Sequence, residues 1–168
     1  MRKDEKNKQF QALTEQHKGI LFKVARTYCQ DEEDRQDLIQ EISIQIWQSL
    51  DRYNSKYKIS TWLYRISLNT AISFYRKHTK RQTETIPLNE YISEHREIDN
   101  SEKEQQLSLL EHFISELNDL DKALMLLYLE DKSHAEMADI LGISQSNVGT
   151  KIGRIKAKLK TRFSQVNS

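Results

Sequence analysis

The sequence predicts an all-α protein made of two small helical domains joined by a flexible acidic linker, the C-terminal domain containing a helix-turn-helix. Two observations favour this fold class. Glycine and proline are scarce, with 4 and 1 residues among 168, which disfavours sheets that need many tight reversals. Apolar residues recur at helical spacing on both sides of a polar, Glu-rich stretch that holds the only proline, Pro87.

Charge is segregated along a chain whose formal net charge is only +1. Residues 51–82 carry 8 basic and 1 acidic side chains, and residues 132–168 carry 7 basic and 2 acidic ones. Residues 83–131, which lie between them, carry 3 basic and 13 acidic side chains. Because a polyanion responds to the local field, the two basic blocks predict two separate surfaces for nucleic acid.

The N-terminal half is predicted to form three helices. Apolar residues at helical spacing indicate the first over residues 8–29, and Leu38, Ile42, Ile46 and Leu50 repeat every four positions in the second, over 34–50. Ser60 is the expected N-cap of a third helix that runs to about Lys80. Its predicted inward-facing residues are Trp62, Leu63, Ile66, Thr70 and Phe74. Residues 82–104 then have the composition of a linker.

The most specific pattern follows Ser133, which with Glu136 has the S-x-x-E spacing of a capping box and predicts a helix from His134 to about Leu141. Ala138 is small where two helices would cross. Gly142 suits the left-handed conformation that ends a helix, and Val148 can seal a second helix onto the first. Together these residues predict a helix-turn-helix.

The second helix of this motif is predicted to read DNA. Ser144 is its expected N-cap, which places the following polar residues in the first turn, the part that reaches base edges in the major groove. Asn and Gln amides can pair with adenine, and the basic residues further along suit phosphates. The expected contacts are Ser144, Gln145, Ser146, Asn147, Lys151, Arg154 and Lys158. Gly149 and Gly153 interrupt this helix at a cost of roughly 1 kcal/mol each, either for close approach of a partner's backbone or by drift.

With these motifs in this order, the chain resembles the extracytoplasmic-function (ECF) type of σ70-family RNA polymerase sigma factor, over about residues 10–80 and 105–162. The segment DRQDLIQEISIQIW (34–47) looks like the family's helix that binds core polymerase. STWLYRISLNTAISFYRK (60–77) looks like the segment that opens the −10 promoter element. HAEMADILGISQSNVGTKIGRIKAKLK (134–160) looks like the helix-turn-helix that reads the −35 element.

The resemblance implies a transcription initiation factor with sigma region 2 at residues 8–81, a linker at 82–104 and region 4 at 105–163. Its implied partners are the clamp and flap surfaces of core RNA polymerase, promoter DNA and, as a further candidate, an anti-sigma factor. The residues implied for polymerase binding are Asp34, Asp37, Leu38, Gln40 and Glu41. Those implied for −10 DNA are Arg65, Asn69, Arg76, Lys77 and Lys80, with Asn69 at a pocket for a flipped base and Trp62, Tyr64 and Tyr75 as nearby aromatic side chains.

Other classes of function fit the sequence less well. An ordinary helix-turn-helix regulator would use residues 8–80 for dimerisation or effector binding, and an adaptor or anti-sigma protein would leave the basic blocks unexplained. An enzyme is not expected, and neither a cofactor nor a metal, because the five histidines are scattered and the lone Cys29 lacks a nucleophile motif. The chain shows no apolar run long enough for membrane insertion and no hydrophobic signal region, so a cytoplasmic protein is expected.

Overall fold

The computed structural model describes residues 2–79 and 102–167, and all regular secondary structure in those two ranges is helical. The all-α class and the division into two helical domains are therefore confirmed. The N-terminal domain contains α1 (Lys3–Gln16), α2 (Lys18–Tyr28), α3 (Glu32–Ser49), a 3₁₀ turn (Leu50–Arg52) and α4 (Ile59–Thr79). The C-terminal domain contains α5 (Glu102–Ser115), α6 (Asp119–Leu129), α7 (His134–Leu141) and α8 (Gln145–Asn167).

The single first helix predicted over residues 8–29 is wrong, because the chain breaks at His17. The backbone of His17 leaves the helical region (φ −117°, ψ 22°), and its carbonyl accepts a 3₁₀-type bond from the amide of Ile20. The two segments pack on different partners: α1 contacts α3 and the 3₁₀ turn, whereas α2 contacts α3, α4 and the C-terminal domain. Because of this break, the apolar faces of α1 and α2 can each pack against a different set of elements.

Helix α3 carries the core stripe that the four-residue repeat predicts. Leu38, Ile42 and Ile46 are fully buried, and Leu50 is buried in the 3₁₀ turn that follows. The helix starts at Glu32, two residues before the expected start, because the Asp31 side chain at its N-cap accepts a 2.8 Å hydrogen bond from the Asp34 amide.

Helix α4 corrects two further predictions. Ser60 lies inside the helix rather than at its N-cap, because the Lys58 carbonyl already accepts from the Trp62 amide. Of the predicted inward-facing residues only Leu63 is fully buried, whereas Trp62, Ile66, Thr70 and Phe74 are half-buried. The buried face lies instead on Leu63, Tyr64, Ser67, Leu68 and Ala71. The face is shifted because α4 packs against α2 and α3 and also against α6 and α7.

Helix α6 joins the two domains into one continuous core. Six consecutive residues, 122–127, are buried, which is the pattern of a helix surrounded by other elements. It contacts α5 and α8 of its own domain and α2 and α4 of the other. The expected linker 82–104 falls mostly outside the described residues, and its last three residues, 102–104, already belong to α5.

Candidate nucleic-acid interface

The predicted helix-turn-helix is formed by α7 and α8. At the start of α7 the Ser133 hydroxyl accepts from the Glu136 amide at 3.1 Å, and the Glu136 carboxylate accepts from the Ser133 amide, so the capping box is complete. Gly142 ends α7 with φ +69°, a left-handed conformation that a side chain would strain. Ser144 Oγ accepts from the Asn147 amide at 3.1 Å and caps α8. These three local predictions are confirmed.

Helix α8 separates an apolar side from a polar one. Val148, Ile152, Ile155 and Leu159 are buried and hold the helix to its domain. The expected duplex contacts lie elsewhere: Lys151 is half-buried, whereas Ser144, Gln145, Ser146, Asn147, Arg154 and Lys158 are exposed. The first turn therefore presents two amides and two hydroxyls to solvent, the groups that direct reading of base edges requires, with cations behind them for phosphates.

The glycines inside α8 are not required by packing within the chain. A Cβ at Gly153 would meet nothing within 4 Å, and one at Gly149 would lie 3.7 Å from the His134 ring, an ordinary contact. Neither glycine has a positive φ. Two explanations are left for the glycines at these two positions: close approach of an external partner, or drift.

A second polar surface lies between α3 and α4. Arg65, Asn69 and Lys77 are exposed on α4. Asn69 and Lys77 line a groove of about 470 Å³ together with Glu41, Gln45, Thr70, Ser73, Phe74 and His78. The Phe74 and His78 rings stack with centroids 3.9 Å apart and planes 17° apart. The groove thus combines amides, hydroxyls, a cation and a stacked ring pair, the groups that hold an unpaired base.

The other residues expected at the −10 surface are placed differently. Arg76 lines an adjoining groove of about 420 Å³ with Asn69 and Lys77, but its Nε also donates to Asp119 Oδ2 of the C-terminal domain at 2.5 Å. Tyr64 is only 4% exposed, so its expected role beside the DNA strand is not supported by its position. Tyr75 is half-buried against Tyr28. Lys80 lies outside the described residues.

The acidic side of α3 forms a third surface. Asp37, Gln40 and Glu41 are exposed and Asp34 is half-buried, whereas Leu38 is fully buried and supports this surface only by packing. Asp37 and Gln40 line a cleft of about 410 Å³ with Gln36, Ile39 and the ring of Phe22, which is 57% exposed. The sequence reasoning missed Phe22, although a phenylalanine beside the apolar stripe of α2, rather than within it, was a signal for an exposed contact.

Among residues 2–79 and 102–167 no group of three His, Cys, Asp or Glu side chains is arranged to hold a metal ion. Cys29 is buried, and burial raises the pKa of its thiol to about 12, which suppresses the nucleophilic thiolate. In the same two ranges, no helix has the length and apolar character required to cross a membrane.

Two family models match this chain, one in each helical domain. The family described as Sigma-70 region 2 matches residues 13–81, and the one described as Sigma-70, region 4 matches residues 107–159. The RNA polymerase sigma factor SigZ of Bacillus subtilis (strain 168) is 32% identical over 124 residues, which cover 74% of this chain and 69% of SigZ. The RNA polymerase sigma factor NccH of Alcaligenes xylosoxydans xylosoxydans is 30% identical over 159 residues, covering 89% of this chain and 84% of NccH.

The fold is also shared with a solved structure. The structure of CnrH in complex with the cytosolic domain of CnrY matches with a TM-score of 0.68 at 22% sequence identity, covering 95% of this chain and 90% of CnrH. The match extends over both helical domains, because it covers nearly the whole chain.

Proposed function

The chain belongs to the σ70 family of RNA polymerase sigma factors, as a factor of the ECF type, and on this premise we propose how its three surfaces divide the work of promoter recognition. A protein of this family is a DNA-binding initiation factor and not an enzyme, since the polymerase makes the bonds of the transcript. In our proposal the chain binds core polymerase through α3, reads −35 duplex with α8 and captures melted −10 DNA on α4. It would act in the cytoplasm, where core polymerase acts.

The exposed first turn of α8 supports the −35 assignment. Gln145 and Asn147 offer amides that can bond the edge of adenine in the major groove, and the buried side of α8 fixes their direction. Arg154 and Lys158 follow two and three turns later and would neutralise phosphates. Substituting either amide should relax base preference, whereas removing either cation should weaken binding to all sequences alike.

The groove between α3 and α4 carries the −10 proposal. Single-stranded DNA needs a stacking surface, hydrogen-bonding groups for base edges and a cation for the backbone. The Phe74–His78 stack, the amides of Gln45 and Asn69, and Lys77 provide these groups in one groove. This juxtaposition is the observation on which we base the distinction from an ordinary helix-turn-helix regulator, which needs no site for an unpaired base.

The cleft at Phe22 supports the polymerase-binding proposal. A large exposed aromatic ring beside Asp37 and Gln40 has the composition of an interaction hot spot, an apolar anchor with a polar rim. The exposed carboxylates of α3 would select a basic surface on the clamp. The flap would bind the C-terminal domain. A further partner protein is also proposed, because the related CnrH was solved with the cytosolic domain of CnrY; here that partner would be an anti-sigma factor.

The proposal is tested by mixing the chain with core polymerase and genomic fragments and sequencing the transcripts. Discrete starts that share two upstream elements are expected. Specific duplex binding by the chain alone, without any polymerase-dependent start, would support the ordinary regulator instead.

A residue-level test uses Asn69→Ala. We expect at least a tenfold loss of open-complex formation, because the substitution removes an amide that can bond a captured base edge, with unchanged binding to core polymerase. Permanganate footprinting of the promoter measures opening, and fluorescence anisotropy measures polymerase binding. Gln48→Ala, an exposed amide of α3 that does not line the groove, is the matched control. Equal loss of opening and polymerase binding would make Asn69 a structural residue.

A further inference from the structure

Helix α7 brings one side chain onto the exposed side of α8. His134, the first residue of α7, is exposed, and its ring lies against the backbone of α8 at Gly149. Its Cε1 and Nδ1 atoms are both 3.7 Å from the position that a Cβ on Gly149 would take. The imidazole therefore lies close to where a side chain of residue 149 would begin. The three surfaces of the proposed function give this histidine no role.

The face of α8 that carries Gly149 lacks a group of its own for phosphate. Gly149 lies one helical turn after Gln145 and Ser146, which are exposed in the first turn of the helix. No basic side chain lies on this face until Lys156, and its Nζ lies 4.3 Å from the centroid of the Tyr128 ring. The start of this face thus offers amide and hydroxyl groups for base edges and no cation for the DNA backbone.

The imidazole of His134 can supply the missing group. Whichever tautomer an imidazole adopts, at least one of its nitrogens carries an N–H that can donate, and a bond to a phosphate oxygen is charge-assisted. Within residues 2–79 and 102–167, neither ring nitrogen of His134 has a hydrogen-bond or ion-pair partner. In helix-turn-helix proteins the first helix crosses the DNA backbone, so a side chain at the start of α7 is placed to meet a phosphate.

The backbone on both sides of this contact is held in place. The capping box of Ser133 and Glu136 fixes the first turn of α7, which contains His134. Met137 and Val148 are fully buried and lie in the core, one turn after His134 and next to Gly149. A donor on a fixed backbone loses less conformational entropy when it binds than a donor at the end of a mobile segment.

The identity of residue 149 decides whether the ring can lie here. A Cβ at 3.7 Å is in ordinary contact, so alanine fits beside the imidazole. The γ and δ atoms of a longer side chain would compete with the ring for the same space. Gly153, one turn later on α8, has no atom within 4 Å of the corresponding position. The two glycines of α8 therefore differ in what surrounds them.

We infer that His134 is a duplex-binding residue, whose imidazole N–H donates to a backbone phosphate at the place that a long side chain of residue 149 would otherwise serve. The inference rests on the proposed function, in which α8 reads the −35 duplex, and it adds a contact made by α7. Gly149 is then explained by the approach of a partner, because it leaves room for both the ring and the DNA backbone.

The first test measures binding of the full chain to a short fluorescein-labelled duplex of random sequence by anisotropy at low ionic strength. A phosphate contact carries no sequence information, so the probe need not contain the promoter. His134→Ala should weaken binding on the order of tenfold, the size expected for a hydrogen bond to a charged group. His134→Gln keeps an N–H donor and should lose less. Circular dichroism and thermal unfolding verify that both variants fold.

The second test is a double-mutant cycle with residue 149. Gly149→Lys should displace the imidazole and bring its own cation to the phosphate, so that adding His134→Ala to it should cost less than about twofold. Gly153→Lys is the matched control, since it places the same side chain in the same helix beside no ring. In that background His134→Ala should keep its cost of about tenfold.

Three results would overturn the inference: unchanged affinity of the folded His134→Ala chain, an equal cost of His134→Ala in both lysine backgrounds, or a loss confined to particular duplex sequences. The last result would make His134 a reader of base edges. Failure of the natural chain to bind any duplex, alone or with core polymerase, would instead refute the −35 role of α8. Duplex binding that survives loss of the imidazole leaves that role intact and removes only the contact from α7.

Discussion

Gly153 lies in the middle of α8, exposed and with open space where a Cβ would be. Because glycine in a helix interior costs roughly 1 kcal/mol relative to alanine, Gly153→Ala should stabilise the C-terminal domain by about that amount. Urea denaturation followed by circular dichroism measures the change. Gly142→Ala is the opposing control: its φ of +69° is strained for alanine, so this variant should lose stability.

The same variant separates the two explanations of the glycine. If Gly153→Ala is more stable and transcribes normally, drift explains the residue. If it is more stable but loses −35 binding, a partner's backbone approaches α8 at this position. A stability equal to or below that of the natural chain would contradict the open space around Gly153.

The sequence best predicted the conformations of residues whose structure depends on near neighbours in the chain. The Ser133 capping box, the left-handed Gly142 and the Ser144 cap all depend on atoms within four residues, and all three are present. Arg76 could not be predicted in the same way, because its ion pair with Asp119 joins positions 43 residues apart. Phe22 was missed for a similar reason: its exposure depends on how α2 and α3 pack.

At the scale of elements, helical periodicity predicted α3 well and α4 less well. A helix buried on one side shows its core stripe in the sequence, as Leu38, Ile42 and Ile46 do. Helix α4 packs against both domains, so its buried residues include Tyr64 and Ser67, which a single-stripe reading assigns to the surface. The break at His17 was not predicted, because it depends on which elements α1 and α2 pack against. The helical spacing of apolar residues does not show these tertiary contacts.

Helix α1 contacts α3 through Lys6 and through a 3.1 Å hydrogen bond from Trp47 Nε1 to Asn7 Oδ1, and the lysine leads to a prediction at this scale. Lys6 is 8% exposed, its Nζ lies 2.9 Å from Asp51 Oδ2, and the same atom lies 3.8 Å from the centroid of the Trp47 ring. Lys6→Met keeps the apolar stem and removes the charge, so it should cost about 1 kcal/mol and shift the fluorescence of Trp47. Thermal unfolding and emission spectra measure the two effects.

Lys3→Met serves as the matched control because Lys3 is exposed on the same helix. It should change neither stability nor emission. If the Lys6 variant behaved in the same way, the half-buried Phe10 and Leu13 would hold α1 without the cation.

At the scale of the whole molecule, the charge segregation along the chain appears again in the contacts between the two helical domains. The acidic block supplies Asp119, Glu111 and Glu130, which pair with Arg76, Arg26 and Lys23 of the N-terminal domain. Net charge alone, at +1, conceals this pairing of opposite charges.

The acidic segment between the domains is expected to act through its length and its charge, and the two roles can be separated. Deleting residues 88–95 shortens its reach by roughly 27 Å. Promoter-specific initiation should then fall more than tenfold while polymerase binding persists, because the domains no longer span both elements. Replacing the same eight residues with a Gly-Ser segment of equal length restores the reach and should restore start-site selection. Initiation by the deleted chain at the natural level would show that the segment does not need its full length.

Charge is tested at full length by changing Glu84, Glu90, Glu94, Glu97 and Asp99 to their amides. We expect unchanged start sites but an altered ratio of abortive to full-length transcripts, because an acidic segment can occupy a basic nucleic-acid channel in polymerase and must be displaced by the growing RNA. Gel analysis of transcripts from one promoter measures this ratio. If the ratio is unchanged at low ionic strength, where screening is weakest, the segment acts as a tether and not as a mimic of nucleic acid.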